Sequence, residues 1–155
     1  MSPVQSEQFD FIIVGAGSAG CALAARLTEN STFRVCLIEA GGKDSNPFIH
    51  IPFGLSLLSR FKNINWNYNT AAQPQLNNRK LYWPRGKTLG GSSAINAMCY
   101  VRGVPEDYDR WNNQGAEGWG WDAVLPYFKK SQDQQRGSDA YHGVDGPLCV
   151  DDLRY

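Results

Sequence analysis

Apolar residues in this chain come in short runs, separated by stretches rich in glycine and asparagine. The run Phe11–Val14 is β-prone, and residues 15–20 follow it directly as Gly-Ala-Gly-Ser-Ala-Gly. Residues 18–30 are rich in Ala and Leu, and Ala19, Leu23, Ala24 and Leu27 share one face at helical spacing. A helix with that face buried is predicted. Residues 33–38 form a second apolar run and predict a second strand. Strand, glycine turn, helix and strand together predict a βαβ unit, hence an α/β fold of Rossmann type.

Beyond Glu39 the chain turns polar. Residues 40–47 carry Gly, Lys, Asp, Ser, Asn and Pro and read as a loop. Residues 48–58 are apolar but interrupted by Pro52 and Gly54, which predicts a buried turn and a short helix. Trp66, Tyr68 and Thr70 alternate with asparagines, an extended pattern. Asn77-Asn78 is a turn signal, residues 80–83 can pair back as a strand, and Pro84 ends it. A second glycine block follows, Arg85-Gly86-Lys87-Thr88-Leu89-Gly90-Gly91-Ser92-Ser93-Ala94-Ile95-Asn96-Ala97-Met98. It reads as a loop entering a helix N-terminus. Such a turn either delivers backbone N–H groups to an anion or a polar ring edge, or is a plain helix start capped by serine.

Pro105 predicts a helix over residues 106–111, with acids in its first turn. Residues 115–120 form a loop, and Asp122 predicts the N-cap of a helix reaching Lys130, with Pro126 tolerable only near its start. Residues 132–146 are polar and read as a linker or the entry to a hairpin. Residues 148–150 predict the start of a strand.

The 155 residues are 42% hydrophobic with zero formal net charge, enough for one ordinary core. No basic stretch is dense enough to follow a phosphodiester backbone, so nucleic acid is not an expected partner. Cys21, Cys36, Cys99 and Cys149 form no CxxC pair, so no metal site is expected. Cys21 and Cys36 are expected to be buried, acting as small hydrophobes in a reducing compartment. The polar first ten residues lack a signal-peptide pattern, and no apolar run has transmembrane length. A cytoplasmic location is expected, with peripheral attachment at the inner membrane as the alternative.

The glycine turn carries candidate chemistry. Gly15 permits the turn out of the strand, Gly17 lets the backbone approach a pyrophosphate, and Gly20 lets the helix pack closely. The helix N-terminus adds free N–H groups and a positive dipole end. Glu39, at the end of the second strand, stands where a carboxylate accepts from ribose hydroxyls. Its charge disfavours a 2′-phosphate, so NADP fits worst. An NAD-dependent dehydrogenase would account for residues 15–39 but leave residues 85–96 unexplained.

Read together, the two glycine blocks resemble the N-terminal part of the glucose–methanol–choline (GMC) oxidoreductases. The second block, running on to Tyr100 and Gly103, is similar to that family's first signature. Pro105, Asp107, Tyr108 and Trp111 are similar too, as are His142-Gly143 and Gly146-Pro147-Leu148. The choline and aliphatic alcohol dehydrogenase branch is the most similar. The resemblance implies non-covalent FAD, since Ile95 stands where some members attach FAD through histidine. It implies that Gly15, Ala16, Gly17, Ser18, Ala19 and Gly20 line the pyrophosphate, with Glu39 and Ala40 by the adenosine ribose. Arg85, Leu89, Gly90, Gly91, Ser93, Asn96, Ala97 and Met98 would lie along the flavin half. The implied reaction passes hydride from an alcohol carbon to flavin N5; the electron acceptor is not implied.

The family's catalytic histidine lies far downstream in a much longer chain, so no catalytic residue is assigned here. His50 and His142 are expected to be structural. Residues 1–135 are expected to be the N-terminal part of the FAD-binding domain, and residues 136–155 a linker and the start of a substrate-binding domain. Alone, the chain is expected not to oxidise alcohols. The alternative is a truncated, non-enzymatic product that binds FAD weakly or folds poorly.

Overall fold

The computed structural model describes residues 7–51, 54, 58 and 61–152. They belong to two compact units, Met1–Cys99 and Tyr100–Tyr155.

In the first unit, strand β1 (Phe11–Val14) pairs in parallel with β2 (Val35–Ile38), Phe11 opposite Val35 and Val14 opposite Ile38. Parallel strands need a crossover, and helix α1 (Ser18–Thr28) supplies it. The predicted βαβ unit is present. The burial expected of α1 is not: none of its residues is buried, and Leu23 is 51% exposed. Val14 is 83% exposed, so this small sheet covers little of its own apolar surface. Cys21 is likewise exposed rather than buried, its thiol donating to the Ala16 carbonyl at 3.2 Å.

A short antiparallel pair follows, β3 (Tyr68–Asn69) with β4 (Tyr82–Trp83). Between the strands Asn77 and Asn78 take positive φ, a conformation that Asn tolerates better than most residues. Of the apolar stretch 48–58, residues 52, 53 and 55–57 lie outside the described residues, and with them most of the expected short helix. Before it, Pro47–Ile49 makes one 3-10 turn, capped by Asn46 Oδ1, which accepts from Phe48 N at 3.0 Å. Phe48, Ile49 and Phe61 pack on a buried cluster of Leu58, Ile64 and Ile95.

The helix expected after the second glycine block is a single 3-10 turn, Gly91–Ala94. No serine caps it. Gly90 does so in the left-handed region, and Gly91 also has positive φ. This backbone path bends the chain against the first glycine turn instead of launching a regular helix.

In the second unit, α2 (Pro105–Asn113) begins with Pro at its first position. The Asp107 carboxylate accepts from the Val104 N–H at 3.3 Å. Helix α3 (Trp121–Ser131) is capped by Gly120, not by Asp122, which sits in the first turn. A tertiary bond sets this start: Trp121 N donates to Asp109 Oδ1 of α2 at 2.9 Å. Tyr108 is the buried centre of an aromatic cluster, its ring 5.4 Å from Trp111 and 5.5 Å from both Trp121 and Phe128.

Residues 132–146 are not a free linker or a hairpin entry. Strand β5 (Gln132–Gln134) leaves α3 directly and pairs in parallel with β6 (Leu148–Val150). Gln132 is fully buried. Its Oε1 accepts from the Arg102 guanidinium and from Gly143 N. Arg102 also donates to the Tyr100 hydroxyl and the Tyr141 carbonyl, and lies over the Phe128 ring. Among the described residues, no helix is long and apolar enough to cross a membrane.

Candidate functional site

The site forms at the carboxyl ends of β1 and β2, where parallel α/β sheets present ligand-binding loops. The second glycine block runs across both loops. Gly90 N donates to the Ala16 carbonyl at 2.8 Å, and Leu89 N donates to the Gly42 carbonyl at 2.9 Å. The fully buried Thr88 adds a hydroxyl bond to that same carbonyl at 3.0 Å. Close approach makes this possible. A Cβ on Gly41 would stand 2.0 Å from the Lys87 carbonyl oxygen, and one on Gly91 would stand 2.9 Å from Gly17 Cα. Two motifs remote in sequence are thus one piece of backbone surface.

Glu39 braces that surface. Its Oε2 accepts from Ala16 N and its Oε1 from Gly41 N, both at 2.8 Å. Each bond is charge-assisted and contributes on the order of 2 kcal/mol. A carboxylate oxygen has two lone-pair sites, so capacity for a ribose hydroxyl remains. Spacing alone gave Glu39 a ligand role; its role in holding the glycine turn required the folded loop.

Two cavities flank the contact between the motifs. Gly15, Gly17, Ser18, Ala19 and Gly20 line one of about 460 Å³, joined by Ile13, Leu23 and Ser92. Leu89, Gly90, Ser93, Asn96 and Met98 line the other, about 300 Å³, with Asp44, Phe48 and His50. Ser92 and Ser93, adjacent in sequence, face different cavities. Ala16 is buried beneath the first turn, and Gly91 is buried against Gly17. Ala40, Arg85 and Ala97 line neither cavity. Arg85 instead lies over the Trp83 ring and donates to the Pro84 carbonyl at 2.7 Å.

The first cavity fits a phosphate-bearing cofactor. Helix α1 has no side-chain cap and no acid in its first turn, so its N-terminal N–H groups and positive dipole end carry no capping group of the helix's own. Gly17 has ordinary extended angles, φ −75° and ψ −173°, and a Cβ on it would meet no protein atom within 4 Å. Neither strain nor packing requires glycine there. A Cβ would occupy the space above the helix N-terminus, the space a pyrophosphate needs.

This arrangement of two interlocked glycine motifs has known counterparts. The GMC oxidoreductase family model matches residues 9–153. The chain belongs to the GMC oxidoreductase family. It is 56% identical over 147 residues to an alcohol dehydrogenase [acceptor] of Pseudomonas putida, covering 94% of this chain and 27% of that relative. It is 48% identical over 157 residues to the mitochondrial choline dehydrogenase of Mus musculus, covering 97% of this chain and 26% of that one. Pyridoxine 4-oxidase from Mesorbium loti has a similar structure, with TM-score 0.86 and 43% identity over 92% of this chain and 28% of its own. Formate oxidase matches with TM-score 0.81 and 35% identity, over 92% of this chain and 26% of its own. The chain therefore spans about a quarter of the length of the relatives it matches.

The histidines of this GMC chain are placed differently from each other. His142 Nδ1 contacts both oxygens of Asp139, at 2.9 and 2.8 Å. That contact and the N–H groups of Tyr141 and His142 hold the Asp139 carboxyl down at about 2. His50 lines the cavity that contains Ser93 and Asn96. An isolated histidine in an apolar stretch gave no sign of that placement.

Proposed function

We propose that this chain is the FAD-binding N-terminal part of a flavoenzyme that oxidises alcohols at CH–OH, with a substrate of the choline or aliphatic alcohol class. Gly17 is the observation that carries the reading: an ordinary backbone conformation, open space where a Cβ would stand, and an uncapped helix N-terminus beside it. Membership of the GMC family and similarity to an alcohol dehydrogenase and a choline dehydrogenase support the reaction class. When bound, FAD supplies the hydride acceptor. The residues of this chain bind and orient it. The N–H groups of residues 17–20 hold the pyrophosphate, those of Gly15 and Ala16 being taken by the Ile38 carbonyl and Glu39. Glu39 holds the ribose, and Leu89, Gly90, Ser93, Asn96 and Met98 face the flavin half. Attachment is non-covalent.

The base that accepts the alcohol proton is supplied by residues outside this chain. On this reading, residues 1–135 belong to the cofactor domain, and residues 136–155 lead into a substrate domain.

Titration of the purified chain with FAD, followed by flavin fluorescence and the visible flavin band, tests the proposal. Saturable FAD binding with no comparable NAD binding is the expected result. NAD binding without FAD binding overturns it. The open apolar face of α1 favours a second reading, in which the chain on its own is a poorly folded, non-enzymatic piece. An aggregated, colourless product with no FAD binding supports that one.

A further inference from the structure

The cavity lined by Asp44, His50, Ser93, Asn96 and Met98 also presents the imidazole of His50. His50 ends the Asn46-capped 3-10 turn, and its backbone N–H donates to the Pro47 carbonyl at 3.1 Å. Phe48 and Ile49 anchor that turn on the Leu58, Ile64 and Ile95 cluster. The ring, whose side chain is 59% exposed, is tethered at one nitrogen: Nε2 lies 2.6 Å from the Asp44 carbonyl oxygen. A carbonyl only accepts, so Nε2 carries the proton and Nδ1 of the neutral ring is an acceptor. Nδ1 has no partner among the described residues.

The other polar groups of the cavity are largely engaged. The Ser93 hydroxyl donates to the Gly90 carbonyl at 2.5 Å, and Asn96 Oδ1 accepts from Met98 N at 2.8 Å. The Asp44 carboxylate, 3.9 Å from His50 Nε2, is too far away to hydrogen-bond it. This end of the cavity offers His50 Nδ1 and the Asp44 carboxylate as acceptors, with the Asn96 amide NH2 as a donor beside them. It differs in character from the glycine turn, which is rich in N–H donors. A phosphate is suited to the donor end and repelled by the Asp44 end; a hydroxyl or ring N–H is suited to the acceptor end.

We infer that His50 is a further cofactor-binding residue, its Nδ1 accepting from a hydroxyl or N–H of the ribityl–flavin half of FAD. The inference rests on the FAD reading above and fixes the direction in which the cofactor lies. His50 acts as an acceptor that holds the cofactor and takes no proton from substrate.

Two substitutions separate this role from a structural one. His50→Gln keeps a donor near the Nε2 position for the Asp44 carbonyl and loses Nδ1; His50→Asn keeps an acceptor near Nδ1 and loses the anchor. FAD and ADP affinities of the full chain are measured by fluorescence and calorimetric titration, with circular dichroism as the check on folding. The expected result for His50→Gln is FAD binding weakened about five- to tenfold, the effect of one lost hydrogen bond, with ADP binding unchanged. His50→Asn is expected to retain more FAD affinity than His50→Gln. A His50→Gln variant that binds FAD like the wild type, or variants that weaken FAD and ADP equally, overturn the inference while the FAD reading stands. Wild-type protein that binds ADP but not FAD overturns both.

Discussion

The two compact units hold remote chain segments together with a different balance of means. The first does it with missing side chains. Gly20, Gly41, Gly86 and Gly91 let backbone approach backbone so closely that an added Cβ would fall within 3 Å of another main-chain atom. The second has such glycines too, Gly143 against the Lys129 carbonyl and Gly146 against Gln132 N, but it adds one long side chain. Arg102 reaches the Tyr100 hydroxyl, the Tyr141 carbonyl and the buried Gln132 amide, and stacks over Phe128. Glycine joints leave main-chain N–H groups exposed at a surface with little side-chain cover, which suits a bound phosphate. The arginine joint commits three of its donors to protein acceptors. The candidate cofactor site is in the first unit, where the glycine joints stand beside the uncapped N-terminus of α1.

The sharpest way to break the comparison is at a packed glycine. Gly86→Ala would place a Cβ 2.0 Å from the Gly91 carbonyl oxygen and 2.7 Å from Ser92 N. Neither backbone atom can step aside, so a loss of about 4 kcal/mol or more is expected, read as loss of cooperative thermal unfolding. The counterpart in the second unit is Arg102→Ala. It removes charge-assisted bonds and leaves Gln132 with fewer partners, for an expected loss of about 3 kcal/mol, measured by denaturant titration.

Gly17→Ala sharpens the comparison, because its Cβ meets only open space. Stability should change by less than about 1 kcal/mol, while FAD affinity falls at least about tenfold. Unchanged affinity would make Gly17 an ordinary loop residue. Glu39→Gln keeps the shape, but its one amide oxygen accepts from only one of the Ala16 and Gly41 N–H groups and its NH2 faces the other. A loss of about 2 kcal/mol is expected, visible as a lower midpoint even without cofactor; a purely ligand-binding Glu39 would show none.

The smallest effect is on acid stability. Asp139 is held at about 2, first by the His142 side chain and then by the Tyr141 and His142 N–H groups. A depressed carboxyl contributes stability above its unfolded value and loses it as pH falls towards the folded one. A shallow fall in thermal midpoint between about pH 4 and pH 2 is expected. Asp139→Asn should flatten it.

Much of the architecture was legible from neighbours in sequence. The apolar runs and glycine turn around residues 11–38, the paired asparagines at 77–78 and the proline before Glu106 act through local backbone preferences, and those elements stand where local signals place them. Residues 132–146 were misread because their polarity resembles a linker. Gln132 is polar and yet fully buried, since Arg102 comes from elsewhere in the chain to bond it. The helix expected after Ser93 failed for a related reason: contact with Gly17 dictates the backbone at Gly90 and Gly91 more strongly than their neighbours do.

By itself, the sequence determined that a strand, a glycine turn, a helix and an acid follow one another, and that a second glycine block comes later. Those features depend on φ preferences and side-chain periodicity over a few residues. Only the tertiary structure decided that Gly90 bonds to Ala16, that Glu39 braces the turn it also serves, and that His50 reaches the cavity of Ser93 and Asn96. Each of these is a close approach between segments far apart in the chain. A glycine reserved for a turn, for a neighbouring strand or for a ligand is the same letter until the space around its missing Cβ is known.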